Sequence, residues 1–180
     1  FHTAEADDKI LAAGDYIFST NARIKDESAE MAAFAHDRLA AKTAAVLYVG
    51  TTFGEHYNLH FTKQFESRGG QVIHNGLVAI EERDMRPALL QALARKPQLL
   101  VLANFGPGLG LMLKQAFAMN IEQPVLTVYE AENTAVIETA GSLPNDRVHF
   151  FSPQPAQPAP HVSSFREAFQ KRCGAPPTLF

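Results

Sequence analysis

Three aromatic residues and one acid have the types and positions expected of a small-molecule binding site. Phe53, Phe105, Tyr129 and Glu130 each come shortly after a short apolar run of the sequence. Binding pockets are lined mainly by aromatic and apolar side chains, with a few polar groups among them. A carboxylate in such a pocket can form a charge-assisted hydrogen bond with a ligand ammonium group, worth roughly 1.5–3 kcal/mol. No nucleophile and base accompany these residues, so they indicate binding without catalysis.

The elements that must position these residues are strands alternating with helices. Short apolar runs bounded by turn residues are typical of buried strands, and apolar residues every three or four positions are typical of helices. The predicted strands cover residues 44–49, 71–78, 99–103, 125–128 and 148–151, with a further candidate strand at 16–19. We therefore predict an α/β fold, a three-layer Rossmann- or flavodoxin-like parallel sheet with strand order 2-1-3-4-5.

This topology gathers the candidate residues at one edge of the sheet. Ligands of such sheets bind at the carboxyl ends of the strands, in the crevice between the first strand and the third. Phe53 follows the first strand, Phe105 follows the third, and Tyr129 and Glu130 follow the fourth. We expect three rings and one carboxylate to meet there. The alternative is that Phe53 only packs at a helix start and that Glu130 is solvated.

The segment after the first strand is predicted to be a helix with a defined beginning. Thr52 and Glu55 have the spacing of a capping box, in which each side chain accepts a hydrogen bond from a free backbone N–H group of the first turn. Tyr57, Phe61 and Phe65 recur every four residues and place an aromatic stripe on one face of this helix.

Composition excludes several classes of function. The chain has 180 residues, 46% of them hydrophobic and 19% charged, which suits one globular α/β domain. A net charge of −3 without a basic block argues against a nucleic-acid partner. No apolar run reaches the roughly 18 residues of a membrane span. The single cysteine, Cys173, excludes an internal disulfide and has no neighbouring base that would make it a nucleophile.

Two patterns that could indicate a cofactor or a metal have simpler explanations. The glycines of residues 106–110 resemble a phosphate-binding loop, but their spacing differs and no P-loop lysine accompanies them. Close packing of a turn explains these glycines better. His56 and His60 have the spacing of two metal ligands on a helix, but a third ligand is missing from that helix. We expect a solvated helix face there, and neither a cofactor nor a metal.

Five successive segments resemble the type I periplasmic solute-binding proteins, in the branch that binds leucine, isoleucine and valine and includes related amide and aromatic-acid receptors. The segments are IFSTNARIKDESAEMAAFA, AAVLYVGTTFGE, FESRGGQVI, KPQLLVLANFGPGLGLMLKQAFAMNIEQPVL and SFREAFQKRCGAPP. The aromatic–glycine turn of the family resembles Phe53-Gly54, and its junction between helix and strand resembles Gly69-Gly70. The resemblance rests on five segments in the right order over nearly the whole chain.

The resemblance implies a function and a domain organisation. Receptors of this family have two α/β lobes hinged by crossover strands, clamp a solute between the lobes and deliver it to an ATP-driven membrane importer. This chain resembles the second lobe. Residues 1–15 would be a remnant of the crossover or first lobe, and residues 16–152 would form the ligand-binding lobe. Residues 153–160 would be a proline-rich connector, and residues 161–180 a helix and the return segment. The resemblance implies a periplasmic or extracytoplasmic, non-catalytic receptor. Its partners would be an amino acid, amide or aromatic acid, the first lobe, and the importer's permease.

The resemblance also implies roles for single residues. In the amino-acid binders of the family, the second lobe supplies an aromatic from the turn after the first strand, another from the turn after the third, and an acid for the ligand ammonium. Proteins of the family often have a residue facing the cleft in the turn that corresponds to the one after the candidate strand at 16–19, where Asn21 and Arg23 lie. The two aromatics fall on Phe53 and Phe105. The acid falls on Glu130, or Tyr129 occupies the same place. The candidate ligand-binding residues are Phe53, Phe105, Tyr129, Glu130, Arg23 and Asn21.

Two other functions are compatible with the same fold. The effector-sensing domain of a regulator or cell-surface receptor uses the same two-lobed architecture, and a helix-turn-helix segment in the full-length protein would favour it. A flavodoxin-like enzyme would use the same crevice for a cofactor, but the sequence has neither a phosphate loop nor a catalytic pair. We therefore expect a binding protein.

Overall fold

The computed structural model describes residues 14–17, 22–144, 146–152 and 159–177. The helices are α1 (Ile24–Asp37), α2 (Thr52–Ser67), α3 (Arg86–Ala94), α4 (Gly106–Ala118), α5 (Thr134–Ala140) and α6 (Pro160–Cys173). The strands are β1 (Thr43–Val49), β2 (Gln71–Val78), β3 (Leu99–Ala103), β4 (Val125–Thr127) and β5 (Val148–Phe150). A 3₁₀ turn (Tyr129–Glu132) connects β4 to α5.

The five strands form one parallel sheet in the order β2-β1-β3-β4-β5, so the predicted fold class is confirmed. The register aligns Tyr48 with Ala103 and Leu102 with Thr127, which brings the carboxyl ends of β1, β3 and β4 to the same edge. The chain reverses direction across the sheet between β2 and β3. The crevice that such a reversal creates therefore lies between β1 and β3.

The helices cover both faces of the sheet. Right-handed crossovers place α2 on one face and α3, α4 and α5 on the other, because only the first crossover runs toward β2. Helix α1 packs beside α2, and α4 packs beside α5. The two faces are therefore covered by different helices, and the site edge is formed by the amino ends of α2 and α4 and by the 3₁₀ turn.

The core explains why these elements form. All five residues of β3 are buried, as expected for the central strand of a sheet covered on both faces. The predicted aromatic stripe of α2 faces inward: Tyr57, Phe61 and Phe65 are all buried. Phe61 and Phe65 stack with ring centroids 5.4 Å apart. The burial of this stripe fixes the rotation of α2 about its axis and therefore the direction of the residues in its first turn.

Some local predictions are wrong. Helix α2 is capped by Thr51 instead of Thr52: Thr51 has extended backbone angles, and its side chain accepts a hydrogen bond from the Gly54 N–H group, with 3.5 Å between oxygen and nitrogen. Helix α6 begins at Pro160, the last residue of the predicted connector, because proline fits the first turn of a helix. The predicted fourth and fifth strands each end one residue earlier in the structure.

Two predicted segments fall largely outside the described residues. Tyr16 lies in a turn instead of the predicted strand at 16–19, and residues 18–21 are outside the described ranges. Of the predicted proline-rich connector, residues 153–158 are outside them as well. In the part of the chain that is described, none of the helices combines the length and the hydrophobicity that crossing a lipid bilayer requires.

Gly54 allows α2 to start directly against β1. A Cβ atom at this position would lie 2.0 Å from the Val49 carbonyl oxygen and 2.9 Å from the Val49 nitrogen. Both atoms belong to the backbone of a buried strand, so neither can move away cheaply. The glycine is therefore required by the close approach of helix and strand, and this approach also places Phe53 at the sheet edge.

We expect Gly54→Ala to reduce the free energy of unfolding by at least about 3 kcal/mol, because relief of the clash requires α2 to move off β1. Urea denaturation monitored by circular dichroism measures the effect. Glu55→Ala is the matched control: this exposed neighbour is not part of the cap, and its loss should change the stability by less than about 0.5 kcal/mol. Equal stabilities of the two variants would contradict the packing described here.

Candidate ligand-binding site

Two of the three predicted rings are in direct contact at the carboxyl edge of the sheet. The rings of Phe53 and Phe105 meet edge to face, with centroids 5.5 Å apart. Phe53 also packs against the buried ring of Tyr57, one turn further along α2, at a centroid distance of 4.8 Å. Phe53 and Phe105 are both partly exposed. The turns after β1 and β3 thus present a continuous aromatic surface that is accessible from the edge of the sheet.

The turn after β3 is fixed by a buried amide. Asn104 is 3% exposed, and its Oδ1 atom accepts a hydrogen bond of 2.8 Å from the Phe105 N–H group. Its Nδ2 atom lies 3.6 Å from the sulfur of Met112. Gly106 follows with φ +50°, a left-handed conformation that favours glycine. The orientation of Phe105 is therefore set by the backbone of the turn and by Asn104.

Glu130 connects the 3₁₀ turn to the beginning of α4. Its carboxylate accepts a hydrogen bond from the Gly106 N–H group and another from Asn133 Nδ2, at 3.5 Å. The residue is 8% exposed. The acid predicted to receive a ligand ammonium group therefore lies beside the Phe105 turn, and its charge is held near the aromatic surface.

A second acid, Glu27 of α1, lies behind the same surface and is fully buried. Its Oε2 atom accepts a hydrogen bond from the Tyr57 hydroxyl group. Its Oε1 atom accepts one from the backbone N–H group of Tyr129, at 3.0 Å. One carboxyl group thereby connects α1, α2 and the 3₁₀ turn.

These contacts form a closed circuit, which we call the rim: Phe53, Phe105, Gly106, Glu130, Tyr129, Glu27 and Tyr57. Each residue of the rim touches the next through a ring contact, a hydrogen bond or the peptide chain. The rim joins the turns after three neighbouring strands. Its partly exposed members, Phe53, Phe105 and Tyr129, are therefore held at one edge of the sheet by the buried ones, Glu27 and Tyr57.

The electrostatics of the rim favour neutral acids or a cationic partner. The pKa of Glu27 is raised from 4.5 to about 7: burial is the main cause and the neighbouring Glu130 adds to it, while the hydrogen bonds from Tyr57 and Tyr129 act in the opposite direction. Burial also raises the pKa of Glu130. Burial and the Glu27 carboxyl group raise the pKa of the Tyr57 phenol, which therefore stays protonated and donates its hydrogen bond.

Four of the six candidate residues belong to the rim, and their binding of a ligand stays a prediction. Phe53, Phe105, Tyr129 and Glu130 are brought together as the topology predicts. Arg23 lies immediately before α1, exposed, where its guanidinium group contacts the Asp26 carboxylate at 2.7 Å. Asn21 is outside the described residues. The roles of Arg23 and Asn21 also stay predictions.

Sequence reasoning did not predict that Glu27 lies behind the site or that the Tyr57 hydroxyl group donates a hydrogen bond to it. A signal was present: Glu27 is four residues before Met31 and three residues after Ile24, on the apolar face of α1. A carboxylate on such a face needs hydrogen-bond donors from another element. The aromatic stripe of α2 accounts for the Tyr57 ring alone, and a buried tyrosine hydroxyl group also requires a hydrogen-bond partner next to it.

Other candidate sites lie elsewhere. His56 and His60 have ring centroids 6.1 Å apart, and no group of three or more metal-binding side chains is found among the described residues. Two mostly apolar cavities of about 450 and 400 Å³ flank the edge strand β5. Neither is lined by a residue of the rim. The first is lined by Glu30, His149 and Ser152 among apolar residues, and the second by apolar residues and glycine, so neither includes a candidate residue predicted from the sequence.

Comparison with known proteins identifies relatives for almost the whole chain. The sequence profile of a family described as periplasmic binding protein matches residues 3–180. A leucine-binding protein from Thermotoga maritima is similar in structure, with a TM-score of 0.82 and 20% identity over 97% of this chain and 50% of that one. A comparison with curated proteins finds no match.

Two further structures have the same fold and were solved with ligands. A branched-chain amino acid transporter substrate-binding protein from Streptococcus pneumoniae, in complex with isoleucine, has a TM-score of 0.82 and 16% identity over 97% of this chain and 50% of that one. An ABC transporter solute-binding protein from R. palustris, in complex with benzoate, has a TM-score of 0.73 and 17% identity over 90% of this chain and 44% of that one. The chain spans about half the length of these proteins.

The raised pKa of Glu27 predicts that the protein becomes less stable as the pH rises from 4.5 to about 7. In this range the folded state holds a proton on Glu27 that the unfolded state releases, so the free energy of unfolding falls with pH. The shift of the Glu27 pKa corresponds to a loss of about 3 kcal/mol in the free energy of unfolding across this pH range. Glu27→Gln removes this titration, so its stability relative to the wild type should increase across this pH window. Urea denaturation at pH 4.5, 5.5, 6.5 and 8 measures the difference.

Glu30→Gln, on the exposed side of the same helix, is the control and should follow the wild-type pH dependence. Parallel stability curves for the wild type and Glu27→Gln would contradict a raised pKa at Glu27.

Proposed function

The chain belongs to the periplasmic binding protein family, and we propose that it forms one ligand-binding lobe of an extracytoplasmic solute receptor. The receptor binds an amino acid or a similar small organic solute without changing it chemically and delivers it to an ABC importer. The observation that carries this proposal is the rim, in which two rings in contact and two buried acids surround the carboxyl edge of the sheet. Aromatic surface with a few convergent polar groups is the chemistry of a small-molecule site.

The relatives support the same class of function. Those named above are, by their descriptions, a leucine-binding protein, a branched-chain amino acid binding protein and a benzoate-bound solute-binding protein. All three are small-molecule binders, and two are described as parts of transporters. These descriptions support the proposal that the receptor acts in the periplasm or on the outer side of the cytoplasmic membrane, with a permease as its membrane partner.

The open shape of the rim supports the proposal that the ligand is shared with a second lobe. Phe53, Phe105 and Tyr129 are partly exposed and follow strands whose carboxyl ends lie at one edge of the sheet, so a ligand that packs against them would keep its opposite side in solvent. A second lobe closing by a hinge motion would cover that side and exclude water. The length of the chain, about half that of its relatives, is consistent with a single lobe.

The charges of the rim favour an amino acid over an aromatic acid. When ionised, Glu130 and Glu27 contribute negative charge next to the aromatic surface, and none of the groups that shift their pKa values is a cation. A ligand ammonium group would supply the missing positive charge and form a charge-assisted hydrogen bond with Glu130. A ligand carboxylate beside Glu130 would be repelled, so we place it toward the second lobe.

The direct test of the function is isothermal titration calorimetry of the full-length protein against the twenty amino acids, their amides and benzoate. We expect at least one amino acid to bind with a dissociation constant in the micromolar range or below, because closure over the rim buries the ligand on both sides. The absence of binding to every member of this panel would contradict the proposal.

Glu130→Gln in the same experiment tests the ligand class. If the ammonium group is recognised at the rim, this variant should weaken amino-acid binding about tenfold or more. The affinity for benzoate should stay unchanged or increase. An equal loss of affinity for amino acids and for benzoate would contradict recognition of the ammonium group at the rim.

Phe105→Ala should weaken the binding of the ligand found in the panel by about tenfold or more while the protein stays folded, because the partly exposed ring contributes ligand contact as well as packing. Calorimetry measures the affinity, and thermal denaturation monitors folding. Phe117→Ala, at the opposite end of α4 where the ring stacks under Arg147, is the matched control and should leave the affinity unchanged. An unchanged affinity of Phe105→Ala would remove Phe105 from the site.

A further inference from the structure

We propose that Glu27 is a positioning residue of the ligand site: its buried carboxyl group holds Tyr129 and Tyr57 in place for the ligand and makes ligand affinity depend on pH. The proposal rests on the function proposed above, because it assigns Glu27 a role in the same site. Glu27 itself is fully buried and does not contact the ligand. It acts through the two residues that bind its oxygen atoms.

The geometry connects one carboxyl group to two parts of the rim that are far apart in sequence. The Tyr129 backbone N–H group donates to Oε1 across 102 residues, and the Tyr57 hydroxyl group donates to Oε2 across 30 residues. The first bond fixes the start of the 3₁₀ turn, whose next residue is Glu130. The second bond fixes the ring that packs against Phe53. Removal of the carboxyl group would therefore release the rim on both sides of the crevice.

Both protonation states of Glu27 can maintain these bonds. The ionised carboxylate accepts from both donors. The neutral acid keeps one oxygen as the acceptor for Tyr129 N–H and donates its own proton to the Tyr57 oxygen. A glutamine at position 27 can form the same pair of contacts, with its carbonyl oxygen toward Tyr129 and its amide group toward the Tyr57 oxygen. Glu27→Gln therefore removes the charge of the side chain while it keeps the contacts that position Tyr129 and Tyr57.

The charge of Glu27 acts on the ligand through the rim. The titratable groups that face it are Tyr57 on α2 and Tyr129 and Glu130 on the 3₁₀ turn. At the start of its own helix, the exposed Arg23, which precedes α1, pairs with Asp26 in the first turn. A ligand ammonium group bound at Glu130 favours the ionised form of Glu27, so binding releases a proton in the pH range where Glu27 titrates. Affinity for such a ligand then rises with pH.

The test compares Glu27→Leu, Glu27→Gln and the exposed control Glu30→Gln in the full-length protein, with L-isoleucine and L-leucine as probes. Calorimetry from pH 5.5 to pH 8 gives the affinity of each variant. We expect Glu27→Leu to bind at least tenfold more weakly, and Glu27→Gln to recover most of this loss. In the wild type the affinity should rise with pH, about tenfold for each unit by which the ligand lowers the pKa of Glu27. Glu27→Gln should lose the part of this rise that comes from Glu27 and keep only the shallower slope that Glu130 contributes, and Glu30→Gln should retain the wild-type rise.

A structural role alone would give a different result. Glu27→Leu would then lower the melting temperature, but the affinity measured well below that temperature would stay within twofold of the wild type. This outcome overturns the proposal. If Glu27→Leu does not fold, the pH profile decides: a Glu27→Gln profile that keeps the wild-type slope overturns the proposal, and a slope shallower than that of the wild type supports it.

A second measurement does not depend on the ligand. Hydrogen–deuterium exchange followed by mass spectrometry should show faster exchange at residues 129–133 in Glu27→Leu than in Glu27→Gln, with no difference in α6 as the internal control. If the wild type binds neither probe nor any member of the larger panel, the proposed function fails, and this exchange comparison alone decides the role of Glu27. Unchanged exchange at residues 129–133 overturns the positioning role.

Discussion

The candidate site depends on a buried carboxyl group with two hydrogen bonds. Glu27 is withdrawn from water on the apolar face of α1, and its oxygens are bound by the Tyr57 hydroxyl group and the Tyr129 backbone. A buried acid without donors would destabilise the fold by several kcal/mol, so the three elements must be in register for the domain to pack. The interaction that stabilises the domain is therefore also the one that sets the spacing of the rim.

This arrangement is consistent with the proposed solute receptor, which would bind its ligand reversibly. The aromatic contacts between Phe53, Tyr57 and Phe105 are supported from below by packed helices, so the surface is formed before the ligand arrives. The acids bring negative charge that burial disfavours, and each responds with a raised pKa. A cationic group of the ligand would relieve this cost at the site. Affinity can then come from preformed packing together with one charge interaction that is completed on binding.

The sequence predicted the order of the elements well because the signals involved are local. The apolar run of β3 and the four-residue spacing of Tyr57, Phe61 and Phe65 give the element type directly. The ends of the elements were less predictable. The cap of α2 falls on Thr51 instead of Thr52, since the capping residue is decided by which backbone is extended when α2 meets β1 at Gly54. Pro160 joins α6 for a similar reason, because its ring is compatible with a helix start as well as with a connector.

For the candidate site, sequence alone predicted the edge of the sheet and four residues that the structure brings together there. Strand order decides which turns are neighbours, and Phe53, Phe105, Tyr129 and Glu130 follow strands whose carboxyl ends lie side by side. Only the tertiary structure decided that Glu27 belongs with them. Its partners are 30 and 102 residues away in the chain, and its burial depends on the packing of α1 against α2 and the 3₁₀ turn. Local patterns report the type of an element, but the pairing of a buried acid with its donors exists only once the elements are packed.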